Sequence, residues 1–180
     1  MSVDEMSSAC DEGDFEKVRQ LVAEGFNVQQ PFHGIYRAAE SDTEEHNRIV
    51  KFLVQNGAKP TAYIFQGPAC SGNLDLITFL VESGFDPTGA NGDDAPIVAA
   101  CSMGHMDVVR FLEEHGCNPL NPEYEDGAET GFLGAIMGGH LDMVKYLLQK
   151  GVTQVDDWAI DIAREKGHTA VVEYLEHRSA

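Results

Sequence analysis

A twelve-residue block recurs six times along this chain, and it restricts the fold more than any other feature. Each copy opens on a turn-forming or polar pair: Gly13-Asp14, Glu45-His46, Gly72-Asn73, Gly104-His105, Gly139-His140 and Gly167-His168. Five residues after the first member stands Val18, Val50, Ile77, Val109, Val144 or Val172, and eight residues after it Leu21, Leu53, Leu80, Leu112, Leu147 or Leu175. Twelve residues after it the block closes on Gly25, Gly57, Gly84, Gly116 or Gly151, and on Ser179 in the last copy. The opening pairs are 32, 27, 32, 35 and 28 residues apart, so the irregularity lies outside the block. A unit this small cannot bury its apolar face alone and needs a neighbouring copy to cover it.

Apolar residues at the fourth, fifth and eighth positions share one face of a 3.6-residue helix. The opening glycine can take the left-handed conformation that ends a preceding helix. Asp14 and Asn73 are suited to N-cap positions, and Glu16, Asp75, Asp107 and Asp142 fall in the first turn, where the helix dipole favours a carboxylate. The closing glycine ends the helix, and Pro60, Pro87 and Pro119 keep it from resuming. Ahead of the opening pairs lie shorter stretches rich in small residues, as in 95–101 and 132–136. The predicted unit is a short helix, a tight turn, a longer helix and a loop.

The segment 95–118, with Ala95-Pro96-Ile97-Val98-Ala99-Ala100, Gly104-His105-Met106-Asp107-Val108-Val109 and Gly116-Cys117-Asn118, resembles the ankyrin repeat motif, and 139–148 resembles its second helix. The resemblance covers about residues 5–178. It implies an all-α, ankyrin-type helix-turn-helix repeat solenoid with short β-hairpin fingers, a single domain over 1–180. The repeats fall at about 4–29, 30–59, 60–86, 87–118, 119–153 and 154–180, the first and last serving as caps. Ala95 and Val98 depart from the Thr and His of the family pattern. Helix restarts near Ala62 and near Trp158, which leaves room for full fingers only at 88–94 and 120–129. The second repeat carries a polar insertion at 40–44.

Lys plus Arg is 12 against 30 Asp plus Glu, a formal charge of −18. That balance excludes nucleic acid and anionic membrane as expected partners, since both are held mainly by Lys and Arg. No apolar run reaches the length of a membrane span, and the first residues lack the pattern of a signal peptide. Cys10, Cys70, Cys101 and Cys117 have no C-x-x-C spacing, which reads as a reduced chain, intracellular and cytoplasmic in preference to nuclear. His46, His105, His140 and His168 share one repeat slot and read as helix starts rather than metal ligands; His33, His115 and His177 are isolated. No nucleotide loop, nucleophile elbow or H-E-x-x-H is present. No cofactor, metal or catalytic activity is expected. Phe52, Phe79, Phe111, Tyr146 and Tyr174 precede the leucines and read as packing between repeats.

The resemblance implies a non-catalytic protein-binding module, an adaptor, scaffold or inhibitor; the alternative is a structural component of a larger assembly through repeat stacking. A monomer is expected. Residues just before Gly104 and Gly139, which in the family face the concave groove, are Ser102, Met103, Met137 and Gly138. Asn91, Asp93, Asp94, Tyr124, Glu125, Asp126 and Glu129 would form the finger rim, and Trp158 would close one end. Between positions 60 and 144 Arg110 is the sole basic residue against thirteen acidic ones, a net of −12. The expected partner is a protein with a basic and apolar segment.

Overall fold

All five opening glycines hold positive φ: Gly13, Gly72, Gly104, Gly139 and Gly167 lie between 70° and 78°. Gly104 shows why no other residue serves there, since a Cβ on it would stand 2.6 Å from the His140 ring. The computed structural model describes residues 2–30, 32–89, 95–120, 129–152, 155 and 157–179, and it separates into two compact units, 1–89 and 90–180. Among the described residues the regular structure is helical throughout.

The first unit holds three helix pairs. They are α1 (Val3–Asp11) with α2 (Phe15–Ala23), α3 (Gly34–Glu40) with α4 (Glu44–Gln55), and α5 (Gln66–Ser71) with α6 (Leu74–Glu82). A 3-10 turn, Ala62–Phe65, leads into α5. The second unit repeats the plan with α7 (Pro96–Met103) and α8 (Met106–Glu114), α9 (Glu129–Met137) and α10 (Leu141–Lys150), and α11 (Asp157–Glu165) and α12 (Thr169–Ser179). Within each unit the first helices pack on one another, α1 on α3 on α5 and α7 on α9 on α11. The architecture is the all-α, ankyrin-type helix-turn-helix repeat that the sequence pattern predicts.

Local chemistry fixes the helix starts. Ser2, Asp14, Thr43 and Asn73 accept the backbone N–H three residues on, at 3.0–3.3 Å. In the second repeat Thr43 takes the cap, so Glu45-His46 sits inside α4 instead of opening it. This is the effect of the polar insertion. Asn27, Asp86 and Asn118 each accept from the N–H two residues on, closing a small turn after the second helix. Lys59 cannot accept in this way, and the chain there passes directly to the 3-10 turn.

Of the two expected fingers, 88–94 and 120–129, only the flanking positions are described. Thr88 and Gly89 belong to a 3-10 turn, Pro87–Gly89, drawn round by the Asp86 carboxylate. Glu129 already begins α9. Positions 90–94 and 121–128 lie outside the described residues.

The apolar slots form the core. Val18, Val50, Ile77, Val109 and Val144 are buried, as are all six repeat leucines. Val172, in the last helix, is only half-buried. Lys17, in the first repeat, fills an otherwise apolar slot and pairs with Glu5 at 2.8 Å. Several half-buried aromatics before the leucines meet a cation from the neighbouring repeat: Lys51 over Phe79 at 5.7 Å and Lys145 over Tyr174 at 5.2 Å.

The second residue of the opening pair also links one repeat to the next. His46 donates from Nε2 to the Asp11 carbonyl at 3.2 Å, and its Nδ1 lies 2.6 Å from Thr43 Oγ1. A carbonyl only accepts, so Nε2 carries the proton. His168 likewise donates from Nε2 to the Met137 carbonyl at 2.9 Å. Asn73 does the same work with an amide, donating to Asp42 at 2.8 Å and to Asn47 at 3.1 Å. Each reaches back to the preceding repeat's turn.

His140 is held below the ordinary histidine value of 6.5, first by burial and then by His105 and His168. A histidine that binds its proton more weakly when folded leaves stability intact above that value. As pH falls through it, the unfolded chain takes up the proton more readily and stability declines. Thermal melts from about pH 7.5 to about pH 5.5 should therefore show a falling Tm, with a smaller fall in His140→Asn, which installs the amide found at position 73. Equal falls in both proteins would refute this role for His140.

Candidate binding face

Of the predicted site residues, Ser102, Met103, Met137 and Trp158 lie on α7, α9 and α11 of the second unit. Pro96 starts α7 at a position where its missing N–H costs nothing. Ile97, Val98, Ala99, Ala100 and Cys101 are buried, so α7 is apolar nearly all round. Helix α9 can lie close against it because Gly131 and Gly134 face α7: added Cβ atoms would meet Cys101 and Ser102, and one on Gly138, just past the helix, would meet the His140 ring before the Ser102 carbonyl. Ser102 is half-buried at this contact, with its side chain directed at Gly134. It therefore takes part in helix–helix packing as well as bordering the expected groove.

Met103 and Met137 end α7 and α9 and remain exposed, at 49% and 44%. Each is the last residue of its first helix, Met103 one residue before Gly104 and Met137 two before Gly139. Trp158, 44% exposed, occupies the first turn of α11, so it stands at the start of its helix while the two methionines stand at the ends of theirs. Asn91, Asp93, Asp94, Tyr124, Glu125 and Asp126 lie outside the described residues, as does the side chain of Glu129. Of the other loop and first-helix aromatics, Phe32 and Phe65 are core residues, Phe32 packing on Phe26 with centroids 5.5 Å apart.

The acidic charge has a location that a count along the chain does not give. Seven of the thirteen acidic residues between 60 and 144 have described side chains. Asp75 and Glu82 lie on α6, Asp107, Glu113 and Glu114 on α8, and Asp142 on α10, while Asp86 holds its turn. All six helical members are on second helices. Glu113 is neutralised in place, with the Lys150 ammonium at 2.9 Å and the Tyr146 hydroxyl on its other oxygen.

Among the described residues no three His, Cys, Asp or Glu side chains gather as metal ligands, and no helix is long and apolar enough to cross a membrane. Burial pushes the Cys10 and Cys101 thiols up to about 12, which leaves little thiolate at neutral pH.

Residues 68–157 match the family model for ankyrin repeats, in three copies. The chain is 28% identical over 117 residues to Cyclin-dependent kinase inhibitor 2A of Monodelphis domestica, covering 59% of this chain and 65% of that protein. It is 28% identical over 120 residues to Cyclin-dependent kinase 4 inhibitor B of Rattus norvegicus, covering 59% of this chain and 85% of that one. The match to the first of these thus spans just under two thirds of the relative's length. The crystal structure of the human ASB11 ankyrin repeat domain superposes with a TM-score of 0.65 at 20% identity, over 90% of this chain and 83% of that one, a likeness of fold.

Proposed function

The chain belongs to the ankyrin repeat family, a family of protein-interaction modules, and we propose that it acts without catalysis, as an adaptor, scaffold or inhibitor. We read its six helix pairs as one array over 1–180, monomeric and intracellular, which binds a protein through the concave side of the repeats. The observation that carries this reading is the pair Met103 and Met137, both exposed as the last residues of two adjacent, nearly uncharged helices. Methionine adapts to varied apolar shapes, which suits a contact surface. Trp158 adds an aromatic anchor of the kind that dominates protein interfaces. The acidic residues Asp93, Asp94, Glu125 and Asp126, with Glu129 at the start of α9, Ser102 on α7, Asn91 and Tyr124, would frame the apolar patch and favour a basic and apolar segment in the partner.

The names of the two relatives make a protein kinase the first partner class to test, under the inhibitor reading. The experiment is affinity capture with the full chain beside Met103→Glu/Met137→Glu. Proteins held by the wild type and lost from the variant are the partners, and a cyclin-dependent kinase among them supports an inhibitor. Identical recovery by both baits would overturn the proposed face. With a partner in hand, reversing Asp93, Asp94, Glu125 and Glu129 to Lys should slow association at low salt, because rim charges act mainly on the on-rate. An unchanged on-rate would remove the acidic rim from the account.

A further inference from the structure

A second surface lies on the opposite helices of the second unit. Within each unit the neighbouring second helices α2 and α4, α4 and α6, and α10 and α12 pack together, whereas α8 and α10 approach less closely. Between α8 and α10 opens a groove of about 650 Å³. It starts where the His140 ring lies against Gly104 and ends near Tyr146 and Gln149. Half-buried Met106 and Leu141 give it an apolar floor.

The walls carry positive charge. Arg110 projects from α8 and Lys145, whose ammonium also lies 5.2 Å from the Tyr174 ring, from α10; Asp142 is the one carboxylate among the described lining residues. Arg110 has Asp107 three residues before it and Glu114 four residues after it, both within helical reach. It pairs with neither, and no described carboxylate lies within ion-pair distance of it. Asp107 instead accepts from the Val108 N–H at 2.9 Å, and Glu113 is held by Lys150 and Tyr146. In a chain with 30 acidic residues, Arg110 thus stands at the edge of this groove without a described carboxylate partner.

We propose that this groove docks an acidic peptide segment of a protein partner, a carboxylate on Arg110 and Lys145 and a neighbouring apolar side chain on Met106 and Leu141. The planar guanidinium fork matches a carboxylate in two hydrogen bonds. The surrounding negative charge repels such a segment everywhere else along 60–144, which fixes where it lands. At physiological ionic strength that repulsion is screened beyond about 8 Å, so the local pairs decide binding. The volume and apolar floor fit a peptide better than a small inorganic anion. This surface is separate from the Met103 and Met137 face and does not depend on it.

The test is a titration of the isotopically labelled full chain, followed by amide NMR at low salt. The probe is the peptide acetyl-Glu-Glu-Leu-Glu-Glu-amide. Saturable shifts confined to α8 and α10, with affinity about tenfold weaker in Arg110→Glu and weaker again on adding Lys145→Glu, support the proposal. Arg110 is exposed, so the variant keeps its fold, and an unchanged circular dichroism melt verifies this. Shifts elsewhere, or undiminished affinity in Arg110→Glu, overturn it. So does an equal response at the same amides to inorganic phosphate or to acetyl-Lys-Lys-Leu-Lys-Lys-amide.

Discussion

Leu80→Ala and Leu112→Ala should each lower the unfolding free energy by about 2–5 kcal/mol, the range for emptying a buried leucine site. Both side chains are fully buried, in α6 and α8. The cost combines the lost transfer energy with the cavity left behind, because neighbouring helices cannot close over it. Leu175 is equally buried, at 1% exposure, but lies in the terminal helix, whose adjoining Val172 is already half-exposed. A terminal helix with one neighbouring repeat can settle into the space, so Leu175→Ala should cost less. Urea titrations of the three variants measure this, and equal losses would contradict the repeat register.

Gly67→Ala should be the most damaging glycine substitution in the first unit. A Cβ there would meet the Ala39 carbonyl oxygen at 2.5 Å and Glu40 Cα at 2.6 Å, both main-chain atoms of α3 or its end. Backbone cannot swing aside as a side chain can, so α5 must back away from α3 along its length. Overpacking of this kind costs about 1–3 kcal/mol, and a rigid neighbour places it at the upper end. Gly25→Ala is the control. Its Cβ would meet nothing within 4 Å, so only the strain of φ +98° remains, on the order of 1 kcal/mol. Comparison of the two midpoints separates steric from conformational cost; a Gly67 variant as stable as the Gly25 one would refute the close α3–α5 approach.

The helix pairs were legible because their signal is local: one valine and one leucine slot, a turn glycine at each end, a cap where a short polar side chain stands. The turn that Asp86 closes on Thr88 is not legible, because a contact of two residues is not encoded in the repeat pattern. Interactions between repeats were hidden for a different reason. Nothing in the string links His168 to Met137, or Ser102 to Gly134, since each pair is joined only when helices stack. The same holds for charge. The sequence shows thirteen carboxylates between 60 and 144, yet only the fold assigns the six described helical ones to second helices. Met103 and Met137 were legible as site candidates through the family pattern; the groove at Arg110 was not, because helix spacing is a tertiary property.

Amide hydrogen exchange on the full chain, with and without its captured partner, addresses the binding face most directly. The account predicts slowed exchange in 96–103 and 129–137 and around Trp158 on binding. Protection confined to α8 and α10, with the first helices unchanged, would contradict it.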